Sequence, residues 1–147
     1  MTGTDDVRAQ KLAEQCAEIM LHEDHCSVQH GMVLVDVSPG YAKVRMPVRD
    51  DMLNGHGSCH GGMMFMLADT AFAVACNSRN QKCVAQHCDV SFVMPVAEGD
   101  VLEAVSTERW REGRSGIYDV TVVNKAGDTV AEFRGRSRTV KGLHVEP

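Results

Sequence analysis

The 147-residue chain has no C-x-x-C pair, no apolar run long enough to cross a bilayer and no surplus of positive charge. Each absence removes a class of function. Without C-x-x-C spacing, the six cysteines make neither a zinc ribbon nor a thioredoxin-like redox site. Without a run of about 18 apolar residues, no helix spans a membrane. A net charge of −5 and a pI near 5.7 exclude the basic face that nucleic acid requires. The start, MTGTDDVRAQKLAEQ, lacks the basic residues and apolar core of a secretory leader, so the cysteines read as reduced thiols of a cytoplasmic protein. Aromatic residues are also scarce: four Phe, two Tyr and one Trp leave few rings with which to bind a ligand.

What is present suits one globular domain over residues 1–147. Charge is unevenly spread. Residues 1–99 hold seven basic and twelve acidic side chains, and residues 100–147 hold eight of each, so an anionic ligand would meet the second part. Within residues 1–24, apolar positions Val7, Leu12, Ala13, Cys16, Ile19 and Met20 recur at helical spacing and predict an amphipathic N-terminal helix. Residues 30–37 and 41–48 read as strands joined by a tight turn at Ser38-Pro39-Gly40. Residues 61–78 are apolar nearly all round and predict a central, enclosed helix. Strands follow at 83–93, 100–110, 116–124 and 129–140. Helix, two strands, buried helix and four strands imply an α+β fold, a long antiparallel sheet wrapped around the central helix.

Between Asp51 and Asp89 the sequence has one acid, Asp69, in the middle of that apolar helix. An ionised carboxylate in apolar surroundings costs several kcal/mol unless it is paired. Either Asp69 lies on an exposed stripe, or it is a base or nucleophile whose pKa burial has raised. Upstream, Gly61 and Gly62 stand where the helix begins. The first N–H groups of a helix have no internal partner, and its dipole favours developing negative charge, so Gly61 is either an oxyanion donor or a packing glycine. His60 and Asn54 are the polar side chains of the loop, suited to orienting it or to shaping its turns. His60 and Asp69 are nine residues apart, about 13 Å along a helix and half a turn out of phase. The Gly61 N–H and Asp69 of one chain therefore cannot meet on one reacting group. If they cooperate, they do so across a two-fold interface, which makes the protein an obligate homodimer.

Other motifs are weaker. G-x-G-x-x-G fails in GHGSCHG because position 60 is His. The sets His56/Cys59/His60 and His22/His25/Cys26 offer metal-ligand types without supporting spacing, so no metal is expected. Cys59 beside His60 makes a poor nucleophile pair, since adjacent residues seldom face one another.

The stretch NGHGSCHGGMMFMLADTAFAVACNS, residues 54–78, followed by FRGRSRTV at 133–140, closely resembles the hotdog-fold thioesterases of the phenylacetic-acid degradation (PaaI) type. The likeness runs through nearly the whole chain. It implies a hotdog fold and hydrolysis of an acyl-CoA, aryl- or phenylacetyl-CoA foremost, without metal or organic cofactor. It further implies that Asp69 activates water or attacks the carbonyl, that the Gly61 N–H polarises the thioester oxygen, and that His60 and Asn54 support the loop. Asp69 would come from the partner subunit, and dimers would pair into a homotetramer. Two departures stand out. Position 73 is Ala where some relatives carry a threonine one turn after the acid, and Ala85, Gln86 and His87 stand where others place a serine.

For substrate contacts, Phe65 can line an aryl pocket or fill the core. Arg134, Arg136 and Arg138 share one face of the last strand, where they can bind CoA phosphates or serve as charges on an edge strand. Two other functions remain: a non-catalytic acyl-CoA binding protein, and an enoyl-thioester hydratase or dehydratase. Against the hydratase, Val74 stands where such enzymes place a histidine five residues after the acid.

Overall fold

The computed structural model describes residues 3–147. Helix α1 (Gly3–Glu23) and the short α2 (His25–Gln29) lead into strands β1 (Val33–Ser38) and β2 (Tyr41–Pro47). Helix α3 (Gly61–Cys76) precedes β3 (Cys83–Phe92), β4 (Val101–Glu112), β5 (Ser115–Val123) and β6 (Thr129–Thr139). The six strands form one antiparallel sheet in the order β1-β2-β4-β5-β6-β3. This is the α+β hotdog arrangement, with α3 laid across the inner face.

Alternation along the strands explains that face. Ala42, Val44 and Met46 of β2, Leu102 and Ala104 of β4, and Tyr118, Val120 and Val122 of β5 are sealed against Leu67, Ala68, Ala71 and Phe72 of α3. Lys43 and Arg45 alternate with the buried set on the outer face, as expected of β2. Gly135 in β6 has a packing reason. A Cβ there would lie 2.8 Å from the Phe72 ring, which rests flat on the strand and also meets Tyr118 and Phe133 at ring-centroid distances of 5.6 and 5.8 Å.

Several boundaries differ from the sequence reading. The N-terminal helix stops at Glu23 because Asp24 caps a new helix, α2, its side chain accepting from the Ser27 N–H. Strand β1 accordingly starts at Val33, after Gly31 turns the chain at φ +71°. Residues 1 and 2, inside the expected 1–24 helix, lie outside the described residues. Val7 is 67% exposed, since the first turns of α1 run past the sheet before Ala13, Cys16 and Ala17 are buried. α3 ends at Cys76 rather than 78, where Asn77 turns its amide back to the Ala73 carbonyl. A 3-10 turn, Asp50–Met52, lies in the expected loop. No helix among the described residues is long and apolar enough to cross a membrane.

The two sheet edges are unlike. β1 is short, interrupted by a bulge between Leu34 and Asp36, and tied to α1 through Gln10, whose amide donates to the Val37 carbonyl at 2.8 Å. β3 is ten residues long and has no neighbour beyond β6.

Candidate active site

The site begins in the loop that delivers the chain to α3. Asn54 folds this loop: its Oδ1 accepts from the N–H of His56 at 2.9 Å and of Ser58 at 3.3 Å. Its amide nitrogen donates to nothing among the described residues. Cys59 is then pinned by its N–H to the Val96 carbonyl, and His60 by its N–H to the Met52 carbonyl at 2.7 Å. Two fixed points in succession set the angle at which α3 starts.

His60 is the N-cap of α3, and its Nδ1 accepts the Gly62 N–H at 2.9 Å. Nδ1 is therefore unprotonated and the neutral ring carries its proton on Nε2. The Met63 and Met64 N–H groups both reach the His60 carbonyl. Of the first four N–H groups of α3, that of Gly61 alone lacks a partner among the described residues. The Phe92 ring closes on the glycine from β3, so closely that a Cβ on Gly61 would lie 3.0 Å from its tip. A free N–H at the positive end of a helix is the type of group that can donate to a developing negative charge. It opens into a groove of about 350 Å³ bounded by Asn54, Met64, Phe92, Val93 and Met94.

Asp69 lies two turns further along. Gly62 is exposed and Met66, Asp69 and Ala73 are half-buried, a stripe at helical spacing that the sheet does not cover. The expectation of a fully enclosed helix thus fails on this one side. The Asp69 carboxylate accepts no hydrogen bond from any described residue. Burial, and then the charge of Asp24, hold its pKa above the ordinary carboxylate value. Among the described residues it has no cation or hydrogen-bond donor, and one side of it is open. Since α3 is regular from Gly61 to Cys76, the Gly61 N–H and Asp69 of one chain stand about 12 Å apart along the axis.

The remaining candidates sort clearly. Cys59 is buried and its thiol is pushed up by that burial, so it is no nucleophile. His60 Nδ1 is already engaged, and no three His, Cys, Asp or Glu side chains among the described residues converge as a metal set would. Phe65 is half-buried with its ring edge-on to Phe133 at 5.3 Å. Val74 is in the core. Arg134, Arg136 and Arg138 do share the outer face of β6. That strand is flanked by β5 and β3, so the edge-strand explanation of these charges is wrong. Arg134 is committed to Asp119 by two bonds of 2.6 and 2.9 Å, whereas Arg136 and Arg138 have no carboxylate partner among the described residues.

Two features escaped the sequence reading. The wall of Phe92, Val93 and Met94, which are 51%, 58% and 40% exposed, was hidden because an apolar run at a strand end looks like core. Asp24, the cap of α2, drew no notice because nothing in the local pattern marks a helix as short as α2.

Comparison with known proteins finds relatives that share the sequence and the fold over most of the chain. A model of the thioesterase superfamily matches residues 56–131, which take in the histidine–glycine loop and α3. The acyl-coenzyme A thioesterase PaaI of Escherichia coli is 44% identical over 88% of this chain and 93% of its own length. The solved structure of the E. coli PaaI protein superposes with a TM-score of 0.90 at 42% identity, covering 91% of this chain and 97% of that one. A mutant of the phenylacetic acid degradation protein PaaI from Thermus thermophilus gives a TM-score of 0.77 at 36% identity over 80% of this chain and the whole of that one. With this sequence match and this fold, the chain belongs to the thioesterase superfamily and is a hotdog-fold thioesterase.

Proposed function

We propose that this thioesterase, a single cytoplasmic domain over residues 1–147, hydrolyses aryl-acyl-CoA thioesters, phenylacetyl-CoA and ring-hydroxylated forms among them, to the free acid and CoA in phenylacetate breakdown. Action on acyl-CoA follows from the 44% identity to the E. coli enzyme of that name. The observation that carries the mechanism is the pairing of one unpartnered N–H, at Gly61, with one unpartnered carboxylate, at Asp69, on the same helix. Asp69 takes a proton from water as the water attacks the thioester carbon. The oxyanion develops against the Gly61 N–H, and collapse of the tetrahedral intermediate expels the CoA thiolate, which recovers the proton from Asp69. His60 holds the turn of α3 through Gly62, and Asn54 holds the loop behind it. The scheme uses no metal and no organic cofactor.

Because the two groups are about 12 Å apart in one chain, each site takes Gly61 from one subunit and Asp69 from the other. The open ten-residue edge of β3 supports this, since a second copy can extend the sheet there by two-fold antiparallel pairing. Two such dimers would form the homotetramer, for which the outer sheet face beside Trp110, 45% exposed, offers apolar surface. The groove wall of Phe92, Val93 and Met94 suits a flat apolar acyl group. Phe65, whose ring packs on Phe133, is the aryl contact on α3, and Arg136 and Arg138 are the cations left for CoA phosphates, with Arg134 held by Asp119.

The test is thiol release from phenylacetyl-CoA and from a medium-chain acyl-CoA. The aryl substrate should turn over faster. A single turnover in ¹⁸O-water should label the product acid and leave Asp69 unlabelled. Label on Asp69 would replace the general base with a nucleophile, and equal rates on both substrates would remove the aryl preference.

A further inference from the structure

A second carboxylate, Asp24, is linked through Ser27 to Thr70, the residue after Asp69 on α3, and the reaction above makes no use of it. Asp24, at the junction of α1 and α2, accepts from the Ser27 N–H at 2.9 Å and from the Ser27 hydroxyl at 2.6 Å. Ser27 Oγ also lies 3.1 Å from Thr70 Oγ1. Thr70 is the residue next to Asp69 on α3, and its hydroxyl also reaches the Met66 carbonyl at 2.9 Å. The protons can be counted. If Ser27 gave its single proton to Thr70, the 2.6 Å approach to Asp24 would lose its donor. Ser27 gives its one proton to Asp24 and Thr70 gives its own to the Met66 carbonyl, which can only accept, so the 3.1 Å approach of the two hydroxyl oxygens is the contact that ties Asp24 to α3. Ser27 is 2% exposed and Thr70 7%, so this link is dry.

The surroundings leave Asp24 as the charge that bears on Asp69. The other titratable groups facing Asp69 are thiols, Cys76 later on α3 and Cys88 on β3, both held up in pKa and therefore uncharged at neutral pH. Beyond Asp24 lies a groove of about 440 Å³ whose charged and titratable members are Glu23, Lys82 and His144. Burial and then Lys82 push the His144 imidazole down, so it is neutral there too.

We propose that Asp24 is a positioning residue of the active site: tied to α3 through Ser27 and Thr70, it fixes a negative charge beside Asp69 and keeps that carboxylate working as a base. This rests on the assignment of Asp69 made above. The effect has the sign of a like-charge interaction, which favours the protonated form of Asp69 and strengthens it as a proton acceptor.

The experiment is the pH profile of kcat/KM for wild type, Asp24→Asn and Ser27→Ala, with ¹³C NMR titration of the Asp69 carboxyl in each. Asn keeps an oxygen for the cap and loses the charge. Its acid limb should move to lower pH, and the Asp69 titration with it, because Asp69 then releases its proton more readily. Ser27→Ala leaves the charge but unties it, and should move both in the same direction by less. An Asp24→Asn enzyme whose limb and titration superimpose on wild type overturns the proposal, whatever its loss of rate. If Asp24→Asn does not fold, unmoved curves for Ser27→Ala overturn it equally. A wild type without thioesterase activity, or an Asp69→Asn variant as active as wild type, would instead strike the mechanism, and the NMR titration would still report on Asp24.

Discussion

Leu67, Ala68, Ala71 and Phe72 on one side of α3 are at most 1% exposed, while Gly62, Met66, Asp69 and Ala73 on the other remain partly open. The four covered side chains are apolar, and the sheet meets them with Val44, Leu102, Val120, Tyr118 and Phe133, the last two packing their rings on Phe72. The open side holds the one acid of the helix, and the helix begins at Gly61, whose N–H has no partner among the described residues. The same sixteen residues therefore build the core on one side and carry the proposed chemistry on the other. Replacing a residue on the covered side should change stability first, and replacing one on the open side should change rate first.

Asp69→Asn is the severest test of that division. Thiol release should fall by roughly 10²–10⁴, the range of a lost general base, while circular dichroism stays that of wild type. Stability should move the other way. The folded-state pKa of Asp69 is raised, so its ionised form is what folding disfavours. Above that pKa the carboxylate weakens the fold and neutral Asn does not. The variant should melt higher than wild type at neutral pH, and the gain should shrink as pH falls through the folded pKa, where wild-type Asp69 also becomes neutral. A lower Tm at neutral pH would place Asp69 among the structural residues.

Leu67→Ala probes the other side. Leu67 is 0% exposed, and its truncation leaves a cavity between helix and sheet costing about 2–5 kcal/mol. Chemical denaturation should show that loss, with kcat per folded protein near wild type. A large fall in kcat at unchanged stability would erase the distinction between the two sides.

Much of this was legible in the sequence. The alternation in YAKVRMPV placed β2 and its wet face, and the apolar run after Gly61 placed α3 within two residues of its true end. Asp69 stood out because no other acid lies between Asp51 and Asp89. Strand order was not legible from local pattern. β3 follows α3 directly yet pairs with β6, the last strand, a choice made by how α3 crosses the sheet. The five residues of α2 were too few to show periodicity, and with α2 the capping by Asp24 was hidden. Asn54 was seen as both turn former and site residue. Its Oδ1 is spent on the turn, and only its amide nitrogen is left for anything else.

The proposed dimer extends the contrast from helix to sheet, since β1 is shielded by α1 and β3 is bare. Val84→Glu puts a charge on the bare edge, where Val84 is 50% exposed and lies across the ladder from Arg138. That arginine can partner the new carboxylate within the chain, so the fold should persist. Association should weaken by about tenfold or more, seen by analytical ultracentrifugation. If sites are shared between subunits, activity per chain should fall on dilution in step with dissociation. Activity that survives in a demonstrated monomer would return both groups to one chain.

Phe92 and Phe65 carry the contrast to its smallest expected effect. Phe65 is on α3 but turns its ring to Phe133 in the core, and Phe92 is on β3 but lays its ring over Gly61. An aryl acyl group entering the groove would meet Phe92, whose face is half open, sooner than Phe65. Losing one aromatic contact costs about 0.5–1.5 kcal/mol beyond the buried area. Phe92→Ala should therefore reduce kcat/KM for phenylacetyl-CoA by a factor of about 2–10, with a smaller change for a medium-chain acyl-CoA, since a flexible chain can repack against Val93 and Met94. Phe65→Ala should lower stability and affect both substrates alike. The reverse pattern, selectivity lost with Phe65 and kept without Phe92, would move the aryl pocket from the β3 wall into the helix–sheet core.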